Sequence, residues 1–155
     1  MEEYLWDMLD TLDRSAVEED SVSIKRDSLD ALFSDYVRER DSYTCQRCGK
    51  YYEPPTRAIH AAHIFSRRHK GTRHDPLNAV ALCHGCHTFF TGYPLYFATW
   101  VSERLGKQQY ALLMHRARKP TKFTDFDRAQ IKSDLKEKLT KLRVDRKQKF
   151  HVEAL

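Results

Sequence analysis

The segment from Cys45 to His87, CQRCGKYYEPPTRAIHAAHIFSRRHKGTRHDPLNAVALCHGCH, begins with one Cys-x-x-Cys pair and ends just past another. Thirty-four residues separate Cys48 from Cys83. Two thiolates with two residues between them can reach one tetrahedral ion, and two such pairs close a four-cysteine site. Cys45, Cys48, Cys83 and Cys86 are therefore expected to hold a structural Zn2+ with no position open to water. Gly49 suits the tight turn that points both sulfurs of the first pair at the ion. The staple draws the ends of the segment together and largely replaces a hydrophobic core there, so its folding is expected to require zinc.

Outward from the staple, Leu29, Leu32, Phe33, Tyr36 and Val37 recur at helical spacing, predicting a helix over residues 28–40 capped by Asp27 or Ser28. Ala58 to Phe65 reads as a short strand, residues 67–78 as a polar basic loop, and Ala79 to Leu82 as a second strand. From Cys83 the chain is expected to turn into a helix carrying His87. Pro94 suits a first helical position, and Phe97, Trp100, Val101 and Leu105 follow at helical spacing up to Gly106. Tyr110, Leu113, Met114 and Ala117 make another stripe, ended by Pro120. A last helix is expected from about Asp127, with Ile131, Leu135, Leu139 and Leu142 on one face. The fold class is small α+β: a zinc-stapled strand–loop–strand–helix core flanked by helices on both sides.

Three parts are expected: an acidic extension over residues 1–24, a central unit over 25–119, and a basic helix over 120–155. Residues 1–24 hold one base and eight acids, a net of −7, whereas residues 25–155 carry +12. That asymmetry favours a polyanionic partner such as nucleic acid, although an ordinary solvated surface fits the charge alone equally well. Tyr4, Leu5, Trp6, Met8, Leu9 and Leu12 suit one short amphipathic helix, with a polar linker from Ser15 to Ser23. No run approaches 18 apolar residues, and the amino terminus is acidic where a signal peptide would be basic, so neither a membrane span nor secretion is expected. The expected compartment is the cytoplasm, where paired cysteines read as metal ligands rather than disulfides.

Between and just after the knuckles stand His60, His63, Asn78 and His87. A lone histidine is more often structural than catalytic, but the order His…Asn…His threaded through a double Cys-x-x-Cys is more specific. The stretch AAHIFSRRHKGTRHDPLNAVALCHGCHTFFTG resembles phage-borne HNH nucleases, particularly the group around the NinG (Rap) recombination protein. LFSDYVRERDSYTCQRCGK and YFATWVSERLGKQQYALL are similar to that group's preceding helix with first knuckle and to its downstream helices. The resemblance covers roughly residues 28–117.

The resemblance implies a ββα-metal nuclease in the cytoplasm of a phage-infected host, acting on DNA in recombination, processing or packaging. It implies His63 as general base, Asn78 as the residue that holds the loop and orients the base, and His87 as a ligand of a single catalytic divalent metal. Arg67, Arg68 and Arg73 lie in the loop, where they either clamp phosphates or are solvated charges. Two positions depart from the commonest HNH pattern: Ala62 stands where a metal ligand usually precedes the base, and Thr91 where a second helix histidine often follows. His60, two residues before Ala62 on the same strand face, is the leading replacement ligand and Asp75 a weaker one; alternatively His63 is itself a ligand. Nitrogen ligands would favour Mn2+, Co2+, Ni2+ or Zn2+ over Mg2+. Phe89, Phe90 and Tyr93 suit a core role better than base stacking. Ala62 and Thr91 also fit a non-catalytic zinc-dependent nucleic-acid-binding module. The amphipathic ends suit docking to a phage protein or a second copy.

Overall fold

The computed structural model describes residues 24–153. Helix α1 spans Ser28–Arg40 and starts in a reciprocal capping box. The Asp27 carboxylate accepts from the Asp30 N–H at 2.9 Å, and the Asp30 carboxylate accepts from the Asp27 N–H at 3.0 Å. Both orphan donors at the helix start are thereby satisfied, and the acidic first turn and basic last turn suit the helix dipole. Of the apolar stripe read from the sequence, Leu29, Phe33, Tyr36 and Val37 enter the core, and Leu32 packs against it partly buried. Each of the four buried side chains contributes about 1.5–3 kcal/mol by leaving water.

After α1 the chain turns through Ser42 and Tyr43, both at φ +52°, into the first knuckle. There the Gly49 N–H bonds to the Cys45 carbonyl at 2.8 Å, with Gly49 at φ +73°. A side chain is strained at that φ, so glycine is the fitting residue. Strand β1 (Ile59–His63) pairs antiparallel with β2 (Ala79–Cys83), Ile59 opposite Cys83 and His63 opposite Ala79. All five β2 residues are buried. The outer edge of β2 is closed at Ala81, whose carbonyl accepts from the Gln46 N–H at 2.9 Å and whose N–H donates to the Asp41 carboxylate at 2.8 Å. The loop between the strands is more ordered than its polar sequence suggests, because it contains two short 3-10 turns, Lys70–Thr72 and Pro76–Asn78.

Helix α2 (His84–Gly92) follows β2 directly, with Cys83 as N-cap. Helices α3 (Pro94–Leu105) and α4 (Lys107–Arg118) meet at Gly106, which lies at φ +80°. Helix α5 runs over Asp125–Glu153, starting two residues before the predicted point. Leu135 and Leu139 are buried, with Ile131 and Leu142 partly buried against the core. Arg128 pairs with Asp27 at 2.7 Å, Arg143 with Glu39 at 3.7 Å, and Arg146 also bonds to Glu39. Pairs at the start and end of α1 made in the same order along α5 mean that the two helices run in parallel. The result is the α+β arrangement expected: a β-hairpin with a four-cysteine cluster and a following helix, surrounded by helices. Among the described residues no helix is long and apolar enough to cross a membrane. The amphipathic helix and polar linker expected near the amino terminus lie outside the described residues.

Leu135 sits in the same core cluster as Phe33 and Leu82. Leu135→Ala is expected to lower stability by about 2–5 kcal/mol through lost burial and an unfilled cavity. Urea unfolding of the zinc-loaded chain measures this, and a midpoint equal to wild type would show that α5 is not part of the core.

Candidate metal centre and catalytic cleft

The two knuckles bring the four cysteine sulfurs within 4.8 Å of one another. Cys48 and Cys83 Sγ are 3.8 Å apart. A tetrahedral ion with sulfurs at about 2.3 Å sets ligand atoms about 3.8 Å apart along each edge, so the cluster fits zinc. Burial acts to raise the Cys45 thiol, but the backbone N–H groups of Cys48, Cys83 and Arg47 outweigh it and hold that group low. Burial pushes Cys86 up, with Arg47 offsetting only part of the rise. Arg47 Nη1 donates to Cys86 Sγ at 3.6 Å while its guanidinium lies 4.0 Å from the centre of the Phe89 ring. Four thiolates around a divalent ion carry a net −2, and Arg47 offsets part of it.

β1, the loop and α2 converge on a cleft of 390 Å³ whose walls include Arg26, Asp30, Ser34, His63, Arg67 and His87. His63 packs against Phe33 with ring centres 5.5 Å apart. Its Nε2 lies 2.9 Å from the Arg73 carbonyl, which only accepts, so the proton belongs on Nε2 and Nδ1 keeps the lone pair. Burial, with Arg67 assisting, lowers the His63 pKa against the opposing effects of the Arg73 carbonyl and Asp30. The ring is therefore neutral at neutral pH.

His87 lines the same cleft from α2, and its Nδ1 is 3.0 Å from Nδ1 of His60. Two nitrogens at about 2.0–2.1 Å from a tetrahedral ion stand about 3.3 Å apart, so this pair fits a divalent metal. Burial lowers the pKa of both rings, which favours the neutral form that binds metal. Ala62 is buried in the core, and the Thr91 hydroxyl donates to the His87 carbonyl at 2.9 Å. Neither position offers a ligand, and His60 is the imidazole that stands beside His87. Asp75 is engaged elsewhere: its carboxylate caps the Pro76–Asn78 turn and pairs with Arg116 at 2.8 Å.

Asn78 is fully buried. Its Oδ1 accepts from the Phe65 N–H at 2.8 Å, and its Nδ2 donates to the carbonyls of Phe65 at 2.9 Å and Thr72 at 2.8 Å. It thus ties the exit of β1 to the far side of the loop. The three arginines separate. Arg67 reaches the cleft, and Arg68 is exposed on the same loop. Arg73 turns inward, its Nε donating to Asp30 Oδ1 at 2.9 Å and Nη2 to Oδ2 at 2.6 Å. Its guanidinium is committed to that carboxylate rather than presented to a ligand. Phe90 is core, Phe89 packs against the core, and Tyr93 is exposed.

Several site residues escaped the sequence reading. Arg26 joins the cleft from the approach to α1, and the His84 ring stands 5.6 Å from that of His60. Asp30 and His74 are buried together, 3.0 Å apart. Asp27 was readable as a helix cap, but nothing local marked Asp30 as its reciprocal partner or as a contact of the loop. The oxygens of Asp27 and Asp30 and a His74 nitrogen lie within 4.8 Å, a donor set able to coordinate a metal. Arg73 and Arg128 already bond to those carboxylates. Burial acts to raise the Asp30 carboxyl, yet Arg73, the Asp27 N–H and His74 together hold it far below the usual carboxylate range.

Residues 45–98 match the family described as HNH endonuclease. An HNH-family endonuclease domain is therefore present in the chain, which supports a general nuclease or DNA-binding role. Neither the curated proteins nor the solved structures contain a match to this chain.

Chelation of zinc is expected to unfold the knuckles and the hairpin together. Circular dichroism and zinc content before and after chelator read this, and a hairpin that stays folded without metal would contradict it. Cys83→Ser should reproduce the loss.

Proposed function

We propose that this chain is a metal-dependent endonuclease that hydrolyses DNA phosphodiester bonds, with residues 25–119 as its nuclease unit. The observation that carries this reading is the shared cleft: His63, with Nδ1 unprotonated, faces the same space as His87, which stands 3.0 Å from His60. His63 Nδ1 takes the proton of the water that attacks phosphorus, and the bond from phosphorus to the 3′ oxygen breaks. Asn78 holds the loop so that the imidazole and the helix keep their spacing. His60 and His87 would hold a divalent ion, whose positive charge would stabilise the charge that develops on the phosphate. Arg67 and Arg26 bring cationic charge to the wall where the phosphate lies. The +12 charge over residues 25–155 supports backbone contacts to a polyanion. The likeness to the NinG (Rap) group supports branched or single-stranded intermediates of phage recombination as substrates, with genome processing or packaging as the neighbouring role.

A zinc-dependent DNA-binding protein without catalysis is the second reading, favoured by the buried Ala62 and the backbone-bonded Thr91. Plasmid cleavage with Mn2+, Ni2+ or Mg2+ separates the two. Nicking or linearisation that needs metal and falls at least about a hundredfold in His63→Ala is expected. Well-folded, zinc-loaded wild type that binds DNA but cuts no supercoiled, single-stranded or branched form would favour the binding module.

Cleavage should also follow His63. Its pKa is lowered by burial, so the neutral base persists to lower pH than an ordinary imidazole, and activity is lost only as pH falls further. The acid limb of kcat/KM is expected below pH 6.5. A limb above that value would remove His63 as the base.

A further inference from the structure

We infer that Asp30 is a positioning residue for His63, acting through Arg73: the Asp30 carboxylate fixes the Arg73 side chain, and the Arg73 carbonyl fixes the imidazole. The inference rests on the reading of His63 as the base. Asp30 is 2% exposed, and an ionised carboxylate that deep must have its lone pairs filled. Four donors fill them. Oδ1 accepts from Arg73 Nε at 2.9 Å and His74 Nε2 at 3.0 Å. Oδ2 accepts from Arg73 Nη2 at 2.6 Å and the Asp27 N–H at 3.0 Å.

The fork locks Arg73 against α1, and its backbone is held as well, because the Arg73 N–H bonds to the Lys70 carbonyl at 3.3 Å. The next link is the 2.9 Å contact from His63 Nε2 to the Arg73 carbonyl. That bond decides which ring nitrogen carries the proton and leaves Nδ1 as the base. Asp30 therefore reaches the base through a salt bridge and one carbonyl. The same contacts commit the Arg73 guanidinium to Asp30.

The charges that face His63 are Asp30, Arg67 and His74. Asp30→Asn keeps the size but puts an N–H2 donor against the Arg73 guanidinium and removes the negative charge. The effect of Arg67 on the ring then loses its opposing carboxylate, and the protonated form of His63 is disfavoured.

The test measures metal-dependent plasmid nicking by the full zinc-loaded chain across pH, for wild type, Asp30→Asn, Arg73→Lys and Leu139→Ala. Leu139→Ala controls for lost stability, since Leu139 lies in the α5 packing and outside the cleft. For Asp30→Asn the expected result is a kcat about ten- to a hundredfold lower, KM within about twofold, and an acid limb moved to lower pH. Arg73→Lys keeps the cation but cannot span both oxygens, so it should lose kcat with the limb in place. Leu139→Ala should change neither once normalised to folded protein. Wild-type kcat and limb in Asp30→Asn, or wild-type kcat in Arg73→Lys, would overturn the inference. If Asp30→Asn does not fold with zinc bound, Arg73→Lys alone decides.

NMR titration of the His63 ring separates this inference from the nuclease reading. In Asp30→Asn the ring is expected to titrate at lower pH than in wild type, whether or not the protein cuts DNA. An unchanged titration overturns the coupling, whereas a shifted titration in a chain without cleavage overturns only the nuclease reading.

Discussion

Closure of the four-cysteine cluster is the constraint on which the rest of the structure depends. The first knuckle is fixed to β2 by a backbone bond from Gln46 to Ala81, and the second knuckle begins in the last residue of β2. A two-stranded hairpin of five-residue strands is marginal in water by itself. Here it gains one edge from the first knuckle, one face from α1, and its far end from the sulfur cluster. Once Cys48 and Cys83 are held 3.8 Å apart, the chain between them must return on itself. That return carries β1 and its histidines to α2.

The cleft results from this geometry and a second constraint, the seating of α1 against the loop. Asp30 is shared between two tasks. It completes the α1 capping box, and it neutralises Arg73 and bonds to His74. One carboxylate thereby couples the start of a helix to the loop that carries the carbonyl partner of His63. Arg128 on α5 reaches Asp27 in the same capping box, so the last helix is tied to the same corner. Such couplings make the cleft a property of the whole domain rather than of the hairpin alone.

The departures at Ala62 and Thr91 acquire a physical meaning in three dimensions. Ala62 fills core space beneath the hairpin, where a polar ligand would be buried without water. Thr91 bonds back to its own helix. The nitrogen pair of His60 and His87 sits at ligand spacing instead, and His84 stands beside it on the first turn of α2. The histidines that gather beside α2 thus differ from the usual pattern in sequence, with His60 rather than position 62 lying against His87.

The sequence by itself determined the local elements and the staple. Periodic apolar residues marked α1 to its observed limits, glycine and proline marked the turns at Gly49, Pro94 and Gly106, and the spacing of the cysteines marked the four-cysteine cluster. These features are set by neighbours a few residues apart, or by a ligand chemistry with fixed spacing. Tertiary structure decided which of the loop groups face the cleft. Arg67 and Arg73 look alike in sequence, yet one lines the cleft and the other is consumed by Asp30, 43 residues earlier. His60 and Asp75 were both eligible ligands, and only His60 lies against His87. The direction a charged side chain takes depends on whether a partner waits within reach after folding, and such partners come from distant segments that no local pattern encodes.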